Sequence, residues 1–397
     1  MKKHMLVATD YYWILPGPKD FIRRIACAAT ESRMVFVNLP RQFIPGTWEG
    51  VMTGLRDAQI EEPKEILVTG GNDIAADIGV HLGLDRISPE SLVSHTAKFR
   101  MAFILRPDGS ERAQDNAEKF AAKFILSPIS QRGNVTLVVG ISDDSLIQDS
   151  KADGNQIIAF DGGLSVDEME VYVSLRMLAH AGPGSTRLTR NLVSEFAGFD
   201  VELAEQLIAM NESQIVSIQD QLPELASQQV ERGRTSSWLE RTISTSQPGV
   251  THVFHDFHLS RHGRDIQRTV ASGRIASRYW RACVKTITPW LEERRAKVTR
   301  ILDYHISRIA DLHGGKIQIP MGNGKTRDIE PDAIEYNNIV GMYFSKDLLP
   351  RNPREQAAVD LCCAVKSVRD DIAHLRPPSP NNIHDLIRKM DLLLKES

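Results

Sequence analysis

At 397 residues the chain exceeds what one ordinary core organises, so two or three domains are expected. Hydrophobic residues make up 42% and charged residues 25%, an ordinary globular balance, and a formal net charge of -3 implies no overall attraction to nucleic acid or membrane. Cys27, Cys283, Cys362 and Cys363 form no C-x-x-C pair and no apolar run approaches a membrane span, which argues against a disulfide framework, a zinc site and a membrane anchor.

The opening MKKHMLVATDYYW carries lysines, but its apolar stretch is too short and polar for a signal peptide, and a reduced cytoplasmic location is expected. From 1 to about 164, short apolar runs alternate with helical spacing. Strands are predicted at 4–9, 33–39, 65–70, 135–140 and 156–160, with helices at 18–29 and 116–127. Such alternation predicts an α/β domain built on a mostly parallel sheet. Gly17-Pro18 and Ser88-Pro89 mark helix starts.

A first strand of such a sheet can lead into a phosphate loop, which needs glycines, a lysine and a Ser or Thr hydroxyl. The segment LPGPKDFIRR (15–24) offers one glycine, a proline that has no N–H, and Lys19 followed by Asp20, which repels phosphate. The expected third strand ends in Thr69 and two glycines where a magnesium-positioning carboxylate belongs, and Asp161 follows a later strand. ATP hydrolysis is therefore not expected, and no cofactor or metal is implied. MGNGKTRD (321–328) lacks the earlier glycine, and its alternating flanks make Asn323-Gly324 a hairpin turn.

Residues 165–225 read as helices, with Ser165 and Asp200 as N-caps. The stretch FAGFDVELAEQLI (196–208) resembles the helical lid that follows the sheet in STAND and AAA-type ATPases. With LPGPKDFIRRIA in place of a working phosphate loop, the first 225 residues resemble a degenerate, P-loop-NTPase-like STAND module of prokaryotic conflict systems. That resemblance speaks to fold.

Residues 226–275 are rich in Ser, Thr, Gln and Gly and read as a connector. They hold His252, His255, His258 and His262, a metal-like cluster accompanied by one carboxylate, Asp256; an exposed polar loop is the simpler expectation. From 261 to 300 there are eleven basic residues against Asp265, Glu292 and Glu293, interleaved with Tyr279, Trp280 and Trp290. Arg274, Arg278, Arg281 and Lys285 are the candidate RNA-binding residues of that run, the alternative being a solvated helix face.

The last domain, 276–397, reads as all-α. A helix is predicted to start at Thr288-Pro289, and others span 331–348, 354–374 and 381–395, the middle one with Ala358, Leu361, Cys362, Val365, Val368 and Ile372 on one side. Arg-x4-His occurs three times, at Arg300–His305, Arg308–His313 and Arg369–His374. The third has Asp370 after the arginine and lies at a helix end stopped by Pro377-Pro378. Arg369, Asp370 and His374 resemble the signature of HEPN domains, short helical bundles that are commonly metal-independent ribonucleases, toxins or silent dimerisation modules. Asp371 adds a negative charge that does not favour phosphate.

Five positions on an α-helix turn through about 500°, leaving the two side chains about 140° apart. The pair therefore requires a helix end or a symmetric homodimer that brings two copies together. On that resemblance His374 would be the general acid or base and Arg369 would stabilise phosphorane charge. The plain alternative has His374 complementing the helix dipole and Arg369 in a surface ion pair. The expectation is a defence protein whose C-terminal domain cleaves RNA under control of the N-terminal module. The second expectation is a non-enzymatic sensor or adaptor that assembles with a separate effector or sensor protein. No membrane partner is expected.

Overall fold

The computed structural model describes residues 9–38, 44–127, 133–141, 156–160, 162–180, 187–231, 251–320 and 326–395. The chain divides into two units: Met1–His180 with Ala197–Ile208 and Gly233–His252, and Ala181–Phe196 with Ala209–Arg232 and Val253–Ser397.

The first unit is an α/β domain. In chain order its described elements are α1 (Thr9–Tyr12), α2 (Pro16–Glu31), β1 (Met34–Asn38), α3 (Thr47–Asp57), β2 (Glu62–Val68), α4 (Ile74–His81), α5 (Pro89–Ser94), β3 (Met101–Pro107), α6 (Glu111–Leu126), β4 (Val135–Ile141), β5 (Gln156–Ala159) and α7 (Val166–His180). The strands form one sheet in the order β2-β3-β4-β1-β5, every pairing parallel. Met34 lies opposite Leu137 and Val35 opposite Gln156, so β1 sits between β4 and β5.

Both faces are covered, which explains why the strands read as continuous apolar runs. Val35, Val37, Ile104 and Val138 meet Phe21 and Ile25 of α2 and Val51 and Leu55 of α3. Phe36, Phe103, Leu105 and Leu137 meet Ile78, Leu92, Phe120 and Phe124 of α4, α5 and α6. Each such side chain contributes about 1.5–3 kcal/mol of transfer free energy when fully buried. Helix α3 lies so close to α2 that a Cβ on Gly54 would stand 2.5 Å from Ile22 Cγ2.

Four predicted strands appear within a few residues of their expected places, and the one at 4–9 lies outside the described residues apart from Thr9, which opens α1. Strand β3 is not among the predicted ones, although its run MAFIL carries the same apolar signal as its neighbours. The segment 15–24 is not a loop: it opens and continues α2, ahead of the first described strand. Asp161 lies outside the described residues.

The second unit holds α8 (Arg187–Ala197, except its last residue), α10 (Glu212–Val216), α11 (Ile218–Glu231), α12 (Val253–His262), α13 (Asp265–Ile301), α14 (Asp303–Leu312), α15 (Tyr336–Phe344), α16 (Pro353–Ala373) and α17 (Pro380–Lys395); α9 (Val201–Ile208) belongs to the first unit. It is helical but not all-α, because β6 (Ile317–Pro320) and β7 (Thr326–Ile329) pair as an antiparallel ribbon. Residues 321–325, where the Asn323-Gly324 turn is predicted, lie outside the described residues.

The stretch expected as a connector carries the end of α11, all of α12 and the start of α13, with 232–250 outside the described residues. Helix α13 runs 37 residues and continues through Pro289, the predicted helix start. An interior proline costs about 3 kcal/mol, and burial of Ile287 and Leu291 on either side offsets it. Gly314 and Gly315, at φ 68° and 89°, turn the chain after α14 into β6 in a region other residues avoid.

Candidate functional site

Helix α16 delivers the Arg369–His374 motif. Asn352 caps its start by accepting from the Glu355 amide at 2.9 Å, and Pro353 occupies the first position. Ala358, Leu361, Cys362, Val365 and Val368 are buried along one face. His374 caps the end of the helix, and Leu375 adopts φ 57°, the left-handed conformation common just past a helix end.

The carbonyls of the last turn are well supplied with donors. Asp370 O accepts from the His374 amide at 3.1 Å, Asp371 O from Arg376 at 2.9 Å, and Ile372 O from Leu375 at 3.1 Å. The indole of Trp280 on α13 also donates to Ile372 O, at 2.9 Å. A helix terminus leaves orphan acceptors that must find donors, and here they fix the point where the helix stops.

The side chains diverge from that end. Arg369 Nη1 pairs with Glu335 Oε2 at 3.2 Å, both partly exposed. Asp370 pairs with Lys366 one turn back. Asp371 pairs with Arg376 at 3.2 Å. The exposed His374 ring folds onto its own helix, with Nδ1 2.7 Å from Asp370 O. A carbonyl only accepts, so Nδ1 carries the proton and Nε2 is left for another partner. No hydrogen bond joins the Arg369 and His374 side chains among the described residues.

The two other Arg-x4-His copies differ. His305 is 2% exposed, with Nε2 2.9 Å from Glu355 Oε2. His313 ends α14 and is exposed, while Arg308 donates to Asp347 O at 3.0 Å. Position at a helix end is thus shared by two copies; the following aspartate and the folded-back ring belong to Arg369–His374.

The four basic candidates line one side of α13, and each meets a carboxylate. Arg274 Nε lies 2.7 Å and Arg278 Nη2 3.3 Å from the fully buried Asp256; Arg281 Nε lies 2.8 Å and Lys285 Nζ 2.9 Å from Glu195. Arg278 also donates to Glu195 O at 2.9 Å. Burial pulls the Arg278 guanidinium below its ordinary value, and Asp256 opposes that shift. No local pattern singles out Glu195, which lies more than eighty residues upstream. Asp256 stands out in the sequence as the lone acid of the histidine cluster, but it pairs with arginines. Among the described residues no group of His, Cys, Asp and Glu is arranged to hold a metal.

In the first unit, the amide of Gly17 at the start of α2 donates to the Glu168 carboxylate, which Ser165 also contacts at 2.7 Å. That helix N-terminus is therefore occupied by an acid of the chain itself. Lys19 follows on α2, with Asp20 bound to Arg23 and Arg24. None of the described helices is long and apolar enough to cross a membrane.

No protein-family model matches the sequence. No curated protein matches it either.

Proposed function

We propose that the helical unit cleaves RNA without a metal, using Arg369 and His374 of two associated copies, and that the α/β unit is a nucleotide-hydrolysis-incompetent sensor controlling it, as in the conflict-system proteins it resembles. The observation that carries this reading is His374 at the end of α16: its exposed ring has Nδ1 against Asp370 O, which leaves Nε2 for a substrate. Nε2 takes the proton of a ribose 2′-hydroxyl as that oxygen attacks phosphorus. The 5′-oxygen leaves and gains a proton from the imidazolium of the second copy, giving a 2′,3′-cyclic phosphate. Arg369 neutralises the phosphorane oxygens. Its bond to Glu335 is a partly exposed pair worth at most about 1 kcal/mol, which a phosphate can displace.

The test is incubation of the full chain with RNA in EDTA, with products resolved on a gel. Cleavage by the wild type and its loss in His374→Ala supports the reading; equal cleavage by both overturns it.

One observation favours a second reading, a non-enzymatic adaptor that assembles with a separate effector. The basic side chains Arg274, Arg278, Arg281 and Lys285 are all committed to Asp256 and Glu195. A biological effect that survives Arg369→Ala and His374→Ala together, with the fold intact, selects it.

A further inference from the structure

Arginines that meet no carboxylate lie at the turn between α12 and α13. Arg261 falls in the last turn of α12, Arg264 immediately precedes α13, and Arg268 lies one turn into it; all three are exposed. Among the described residues none of the three forms an ion pair. Arg261 stacks on Phe257 with its guanidinium carbon 5.4 Å from the ring centroid, and Arg268 donates to Gly263 O at 3.3 Å. Asp265 is the single acid between 257 and 270. Arg264 and Arg268 are about 6 Å apart along the axis, and the N-terminal dipole of a 37-residue helix adds to their charge. Ile266, 81% exposed, and Val270, 48% exposed, each stand two positions from Arg268 and so on the opposite side of α13.

We propose that this hairpin end, through Arg261, Arg264 and Arg268, is the surface that holds single-stranded RNA. The inference rests on the reading of the helical unit as one that acts on RNA, and it relocates binding from 274–285 to 261–268. The three cations are all arginines, whose planar forks grip phosphate bidentately and whose faces stack on bases. Ile266 and Val270, on the other side of α13, take no part in that grip. Two aliphatic side chains are too few for a helix lying in a lipid interface, which needs a broad apolar face.

The test uses the full chain and a fluorescent 20-nucleotide single-stranded RNA, with anisotropy read at several salt concentrations and RNA integrity checked on a gel. The Arg261→Gln/Arg264→Gln/Arg268→Gln variant is expected to bind at least tenfold more weakly. Its log–log salt slope should fall by about 2, or about 0.7 for each phosphate that no longer meets an arginine. Arg23→Gln/Arg24→Gln/Lys119→Gln removes equal charge from exposed positions of the other unit and should bind within twofold of wild type. Unchanged binding by the first variant, an equal reduction in the second, or no binding by wild type overturns the proposal. So does weakened binding to phosphatidylserine vesicles with RNA binding intact. RNA that is bound but never cut overturns the cleavage reading and leaves this surface standing.

Discussion

At the scale of single residues, His374 and Glu355 are the side chains whose chemistry is most open to test. If the proposed cleavage is this chain's activity, His374→Ala should lower it about 100-fold or more, the usual contribution of a positioned acid or base. The unfolding midpoint should barely move, since the ring is exposed. Glu355 behaves differently. The Arg351 guanidinium hydrogen-bonded to it is the main reason its carboxyl lies at about 2, well below the ordinary 4.5, and burial opposes that shift. A carboxyl held low in the folded chain contributes stability above its unfolded value and loses it as the pH falls through the folded one. Urea titrations should therefore show Glu355→Gln less stable than wild type at pH 7, with the gap closing between pH 4.5 and 2. Arg278→Met leaves the buried Asp256 with Arg274 alone, and should cost about 1.5–3 kcal/mol in the same titration, the loss of one charge-assisted hydrogen bond. The sequence exposes these residues unevenly. Arg369, Asp370 and His374 fall within six residues at one helix end, so spacing finds them. The Arg281–Glu195 and His305–Glu355 pairs join distant segments, and no local pattern encodes such a partner.

At the scale of elements, packing overrides local signals in two places. Pro289 is a sound helix-start signal by itself, yet α13 passes through it because Ile287 and Leu291 are held in the core. The turn-rich composition of 226–275 suggests a connector, but Val253, Phe254, Ala271 and Ile275 are buried and hold α12 and α13 together. By contrast α16 is legible nearly to the residue, since its apolar stripe and terminating prolines agree. Two contacts between elements can be checked. Trp280→Phe removes the indole donor to Ile372 O and should destabilise the helical unit by about 1 kcal/mol. Hydrogen exchange should rise at the amides of Leu375 and Arg376, which close the same helix end. Gly54→Ala forces Ile22 away from α3, and overpacking of this kind costs about 1–3 kcal/mol in thermal unfolding.

At the scale of the whole molecule, the α/β class follows from alternation of short apolar runs with helical stretches, while the strand order does not. Order depends on which runs meet across the sheet, and runs as alike as VFV and VTLVV carry no address. If cleavage needs two copies, its rate per chain should rise with protein concentration until the dimer saturates, and light scattering should show the same midpoint. The strand order also sets a timetable for synthesis. Strand β1 is flanked by β4 and β5, whose residues lie about a hundred positions later. At about 5–20 residues per second, its edges wait several seconds on the ribosome with neither neighbour yet made. A chaperone that binds nascent apolar strands should therefore crosslink to residues 34–38 more strongly than to β3, whose neighbour β2 has already emerged when it appears.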